Sequence, residues 1–259
     1  MIDSHCHLDF KQFDADRTEL LKQAQALGIA KILIPGTQAC AWPKQIQLCS
    51  ENSQLEYALG LHPYFLAEYQ PEHLTALRDL LEAHQQDVVA VGEIGLDFAI
   101  KQDRHVQRGG FEQQLSLASE FGLPVILHQR KSHHEMIRLL KKHKFKSGGV
   151  VHGFSGSYQQ AMDYVELDFK LGIGGTITYP RAKKTIDAIS KVPLSSLLLE
   201  TDAPDMPVCG QQGHRNSPLN LVHILESLTT IRPESRAELE QATDLNFAAL
   251  FRVCLPTAG

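Results

Sequence analysis

Six residues of this chain are of the types that bind divalent metals, and they fall where β-strands would end. His5 and His7 stand two apart in an extended run, so both side chains project from one face of the strand. Glu93, His128, His152 and Asp202 each lie at or near the end of a separate run of β-branched and apolar residues. Four imidazoles and two carboxylates brought to one point form a nitrogen and oxygen site suited to zinc, manganese or iron. A carboxylate has two oxygens and can bridge two cations. Glu93 lies between the first-strand pair and the two later histidines, where such a bridge belongs. One histidine at a strand end is ordinarily a satisfied polar group. Two neutral histidines packed inward, however, cost desolvation unless something partners them. Six candidates on five strand ends read as a metal site.

Positioning them requires eight strands, which the hydrophobic pattern places at Ile2–His7, Ala30–Pro35, Glu56–His62, Val88–Gly95, Pro124–His128, Gly149–Phe154, Phe169–Gly174 and Leu197–Asp202. Helical stretches alternate with them, among them Phe13–Leu27, His73–His84, Arg104–Phe121, His134–His143, Tyr158–Val165, Lys183–Ser190, Asn220–Thr230 and Arg236–Phe251, with a shorter connection around Pro43–Cys49. Alternation with near-continuous apolar strands means a parallel sheet. Eight units favour a closed (β/α)8 TIM-type barrel over an open sheet, as one α/β domain spanning residues 1–259. In a barrel the C-terminal strand ends share one mouth, where such enzymes build their sites. The Pro- and Gly-rich segment Ala203–Leu219 reads as a long functional loop after the eighth strand. Gly172-Ile173-Gly174-Gly175 either admits a phosphate to the backbone or eases barrel packing, and packing is the better reading of strand glycines.

The whole composition sets bounds. Of 259 residues 43% are hydrophobic and 21% charged, an ordinary globular balance. No apolar run reaches the about 18 residues of a membrane span, and with a strand starting at Ile2 no signal peptide is expected. Five scattered cysteines suggest reduced thiols, so a cytoplasmic location is expected. A net charge of −5 argues against an extended grip on duplex DNA, though not against a local basic patch.

The phrases around the six residues are specific. They are Asp3-Ser4-His5-Cys6-His7-Leu8-Asp9, Gly60-Leu61-His62-Pro63, Gly92-Glu93-Ile94-Gly95-Leu96-Asp97, His152-Gly153-Phe154-Ser155-Gly156-Ser157 and Glu200-Thr201-Asp202-Ala203-Pro204. Together they resemble the TatD family of metal-dependent deoxyribonucleases, relatives of the amidohydrolases, over nearly the full chain. The resemblance implies one metal on His5, His7, Glu93 and Asp202, and a second on Glu93, His128 and His152. The cofactor expected is thus a pair of divalent ions, zinc, manganese or magnesium. The chain departs from the family pattern at Gly153, at Ala99, at Gln129-Arg130-Lys131-Ser132, and in the extra polar residues before Arg215-Asn216. Those departures leave substrate preference open.

The expected chemistry follows from the cations, which acidify water and polarise a phosphoryl oxygen. Asp202 is then ligand and proton acceptor, Glu93 is the shared ligand, and His62 either contacts the phosphate or leaving group or stands beside the site without ligating. Asp97 and Glu200 either orient ligating histidines or form interior ion pairs. Arg130, Lys131, Arg181, Lys183, Lys184 and Arg215 fall in loops at the mouth, where they draw phosphate or simply make a solvated charged face. His133-His134 reads as surface, and Cys6 as packed. The substrate expected is DNA or a short nucleic acid, contacted at an end because no aromatic run offers a long stacking platform. No membrane and no obligate protein partner is indicated. The alternative is an amidohydrolase-like hydrolase of a small amide, lactone or phosphoester.

Overall fold

A computed structural model describes residues 1–68 and 70–255. Eight strands form one parallel sheet in chain order, β1 (Ile2–Asp3), β2 (Lys31–Pro35), β3 (Leu55–Leu59), β4 (Val88–Asp97), β5 (Val125–Arg130), β6 (Gly149–Val151), β7 (Phe169–Ile173) and β8 (Leu197–Leu199). Helices alternate with them: α1 (Arg17–Ala26), α2 (Trp42–Glu51), α3 (Pro71–Ala83), α4 (Arg104–Phe121), α5 (His133–Lys142), α6 (Tyr158–Val165), α7 (Lys183–Lys191), α8 (Leu221–Ile231) and α9 (Arg236–Phe251). This is the (β/α)8-barrel architecture that the alternation implies. The chain packs as two compact units, Met1–Ile34 with His152–Gly259, and Pro35–Val151.

In the second unit β4 is the longest strand, and all ten of its residues are buried. A strand covered on both faces needs an unbroken apolar run, and Val88-Val89-Ala90-Val91 supplies it. Gly95 has a φ of 144°, and a Cβ there would meet the His128 carbonyl oxygen at 2.1 Å. Only glycine lets β4 and β5 close at this point, with Gly95 opposite His128. The helix that follows is built by its ends and one face. Asp103 caps α4 by accepting from the His105 N–H at 2.6 Å, and Gly122 ends it in the left-handed region. Its buried face carries Phe111, Leu115 and Ala118, and with them Gln107 and Gln114.

In the first unit, α6 and α9 start on capping boxes, Ser157 with Gln160 and Ser235 with Glu238. Here the one glycine of β7 serves packing. A Cβ on Gly172 would fall 2.0 Å from Glu200 Oε2, so this glycine makes room for a carboxylate rather than a phosphate. The first strand is shorter than the pattern suggested, two residues rather than six. After Asp3 the chain leaves the regular ladder and bonds piecemeal, Ser4 N–H to Leu199 O, Cys6 N–H to Leu33 O and His7 N–H to Ala203 O at 2.8, 3.0 and 2.8 Å.

Candidate metal centre

In the first unit, His5 and His7 lie past the end of β1 and Asp202 lies past the end of β8. They are tied by backbone, since the Asp202 N–H donates to His5 O at 2.8 Å. Asp3 completes the tie: it accepts from the Thr201 N–H at 2.9 Å, the Thr201 hydroxyl at 2.6 Å and the His5 N–H at 3.2 Å. Burial still pushes the Asp3 carboxyl up to about 7, because those bonds do not fully replace water. Asp202 sits at a φ of 55°, a conformation that costs energy in most residues and clusters at functional sites. Burial raises its carboxyl, but the His7 hydrogen bond and the charges of His152, His5 and His7 outweigh that and hold it below the usual range.

His5 Nε2 and His7 Nε2 are each 3.5 Å from the same oxygen, Asp202 Oδ1. Ligands about 2.0–2.2 Å from a tetrahedral zinc stand about 3.3–3.6 Å from one another, so each histidine stands from Asp202 at the spacing of two ligands on one cation. His152, one residue past β6, stacks on His5 with ring centroids 4.0 Å apart. Its Nδ1 is 3.9 Å from Glu200 Oε1, which also accepts the Gly153 N–H. Glu200 is buried with its Oε2 unpartnered, and burial foremost pushes its carboxyl up to about 8. His5, His152 and Glu200 offer donor atoms within 4.8 Å of one another.

The second unit holds His62, Glu93 and His128, again with donor atoms within 4.8 Å of one another. Glu93 is buried in β4, and its N–H donates to Gly36 O at 2.7 Å. His128 Nδ1 is 2.9 Å from Glu93 Oε1, and its Nε2 is 3.2 Å from Asp97 Oδ2. Both ring nitrogens face carboxylates; with a cation held beside Glu93, Asp97 would keep the proton on Nε2 and leave the Nδ1 lone pair to that cation, the arrangement of a ligating histidine. Burial raises the Asp97 carboxyl, but the His128 and Ala99 N–H hydrogen bonds and the His128 and Arg130 charges bring it below its ordinary value. Replacing Asp97 with Asn should weaken metal binding at His128 by about 10- to 100-fold, readable by titration calorimetry with the metal-free protein. An unchanged affinity would assign Asp97 to a plain ion pair.

His62 behaves differently from His128. Its Nδ1 accepts the Tyr64 N–H at 3.0 Å, so the neutral ring carries its proton on Nε2, 3.3 Å from Glu93 Oε1. In that tautomer Nε2 donates and has no lone pair for a metal. Two further residues, to which the sequence assigned no role, hold these elements in place. Gln114 accepts from the Leu61 N–H at 2.7 Å and donates to Leu61 O at 3.1 Å, fixing the residue before His62. Gln107 does the same for Asp97, with 2.8 Å to its N–H and 2.8 Å to its carbonyl. Their only signal in sequence is a spacing of seven on the apolar face of α4.

The expected cations are distributed more widely. Arg130 is exposed at the end of β5, 3.7 Å from Asp97 Oδ2. Lys183 and Lys184 are exposed at the start of α7, with Lys184 Nζ donating to Gln160 at 3.2 Å, and Arg181 is exposed and lies over the Tyr179 ring. Arg215 is engaged by Asp16 and lies over the Phe13 ring. Its neighbour Asn216 is buried and bonds the carbonyls of Thr201, Asp205 and Met206 at 2.9, 2.8 and 3.2 Å, so it braces the loop after β8. His133 corrects the expectation of a surface pair: it is buried at the start of α5, and only His134 is exposed.

A family model described as TatD related DNase matches residues 2–252. The chain belongs to the TatD family. It is 46% identical over 253 residues to an uncharacterized metal-dependent hydrolase, YjjV, of Escherichia coli strain K12, which covers 97% of this chain and 98% of that one. The crystal structure of that TatD homolog superposes with a TM-score of 0.96 at 45% identity, over 98% of each chain. A relative from Cronobacter sakazakii named as a 3'-5' ssDNA/RNA exonuclease is 35% identical, covering 97% of each. The chain is therefore a metal-dependent hydrolase, as the donor groups and the family phrases implied. Among the described residues no helix is long and apolar enough to cross a membrane.

Proposed function

We propose that this chain is a two-metal phosphodiesterase that trims single-stranded DNA or RNA from a 3' end. The observation that carries the reading is the convergence of His5 Nε2 and His7 Nε2 on one Asp202 oxygen at cation-ligand spacing, in a chain of the TatD family. The polarity and substrate rest on the exonuclease relative. In this reading His5, His7, Glu93 and Asp202 hold one divalent ion, and Glu93, His128 and His152 the other, with zinc, manganese or magnesium as candidates. Such ions supply Lewis acidity, lowering the pKa of water toward about 7 and neutralising charge on the phosphoryl oxygens.

The protein's own groups do the rest. Asp202, held anionic by its imidazole neighbours, takes the proton from the attacking water. His62, with its proton on Nε2, donates toward the leaving oxygen, and Tyr64 keeps that tautomer in place. Arg130, Lys183 and Lys184, exposed in solvent, attract the phosphates of the strand, while Arg215 is held by Asp16. The test is a screen of metal-reconstituted protein on end-labelled single- and double-stranded DNA and on RNA, beside dihydropyrimidines, lactones and phosphomonoesters. Release of mononucleotides from single strands is expected. Turnover of a cyclic amide or lactone with nucleic acid untouched would establish the amidohydrolase-like alternative.

Changing Lys183 and Lys184 to Ala should raise KM and flatten its dependence on salt while kcat stays near normal. Because both side chains are exposed at a helix start, folding should be unaffected. Initial rates on a short DNA across a range of salt concentrations give the slope, and an unaltered slope would return these lysines to the solvated surface.

A further inference from the structure

Beside His62 the second unit contains a cavity of about 230 Å³. That is below the roughly 300–1,000 Å³ of pockets for drug-sized ligands, and suits a single heterocycle. Its walls are of two kinds. Leu61, Phe65 and Leu66 give apolar surface, while Gln38 and Gln70 bring amides. The Gln38 side chain makes no cap hydrogen bond at the helical turn it precedes, and it is half-buried. Gln70 spends its acceptor on capping α3, which leaves its amide N–H groups as donors. Apolar faces with amide donors and acceptors at the edge are what a nucleobase requires, since its faces stack and its rim alternates carbonyls and N–H groups.

The cavity also stands in a defined place relative to the reacting groups. Leu61 and Phe65 in its wall flank His62 in sequence, and the Phe65 ring lies 6.2 Å from the His62 ring. Tyr64, exposed, sets its ring 5.2 Å from Phe65. One short segment therefore presents the His62 Nε2–H and, one ring away, an aromatic wall.

We infer that this cavity receives the terminal base of the strand whose adjoining phosphodiester is cut, an inference that rests on the nuclease reading above. A base can enter only when unpaired and lifted from its neighbour, so the cavity makes the enzyme select single-stranded ends. The Phe65 face stacks on the base, and the Gln38 and Gln70 amides meet its edge. Cys40, exposed in the same wall, is a natural reporter of occupancy.

The test uses metal-loaded protein with Cys209 and Cys254 changed to Ser, leaving Cys40 as the exposed thiol while Cys6 and Cys49 are buried. Thymidine 5'-monophosphate should slow alkylation of Cys40 by a maleimide, and ribose 5-phosphate should not. Phe65→Leu should raise KM for a single-stranded oligonucleotide by about 5- to 100-fold, the range for one lost base stack, with kcat little changed. An oligonucleotide with an abasic 3' residue should show no such difference between wild type and variant. Gln38→Ala provides a second wall variant and should also weaken thymidine 5'-monophosphate protection of Cys40. If nucleic acid is hydrolysed but Cys40 is not protected and abasic ends are cut as well as normal ones, the base site is wrong and the nuclease reading stands. If wild-type protein cuts no nucleic acid, both fall together.

Discussion

Asp202→Asn should remain folded and, once loaded with metal, lose about a hundred- to ten-thousand-fold in turnover of single-stranded DNA. That is the range for removing a general base. The substitution is nearly isosteric, and Asn is one of the few residues that tolerates a φ of 55° at modest cost. The backbone bond from residue 202 to His5 O survives it. What disappears is the negative charge that the surrounding imidazoles hold in place. An alanine at this position would add backbone strain and confuse the reading. Metal content and thermal unfolding should be measured beside the rate. Near-normal turnover in a metal-loaded variant would remove Asp202 from the proton-transfer role.

Glu93→Gln should act on metal occupancy before it acts on anything else. The carboxylate is buried in β4 and 2.9 Å from His128 Nδ1, and in the proposed centre it serves both ions. Gln keeps the shape but offers one weak oxygen and an N–H pair that repels cations. Binding at both positions should fall together, by at least the about 10- to 100-fold that a hydrogen-bonding partner of a ligand is worth. His128→Ala, in contrast, should empty one position preferentially. Elemental analysis of the three proteins after identical loading distinguishes the cases. Equal metal content in Glu93→Gln and wild type would exclude the shared carboxylate.

Much of this was legible from residue order because the fold is repetitive and its strands are covered on both sides. Val88-Val89-Ala90-Val91 reads as a buried strand without help from any partner, and β4 is one. Strand ends were harder. Their alternation places His5 and His7 in a strand, yet the ladder stops at Asp3, because the following N–H groups bond individually to Leu33, Leu199 and Ala203. Both rings still reach Asp202, since an extended chain keeps alternate side chains together outside a sheet. The bracing residues were illegible for a different reason. Gln107 and Gln114 look like stray polar residues on an apolar helix face until the peptide groups of Asp97 and Leu61 are seen bonded to them. Arg215 looked like a free loop cation, but its partner, Asp16, lies 199 residues earlier in the chain. Long-range polar pairs of this kind leave no periodic trace.

The most direct measurement is an anomalous difference map from crystals of the manganese-loaded protein, recorded at the metal's absorption edge. Two peaks are predicted. One should lie within about 2.0–2.3 Å of His5 Nε2, His7 Nε2, Asp202 and Glu93, and the other at the same range from Glu93, His128 and His152. His62 Nε2 should ligate neither. A single peak, a peak bound through His62 Nε2, or metal held only at unrelated surface residues would contradict the two-metal centre.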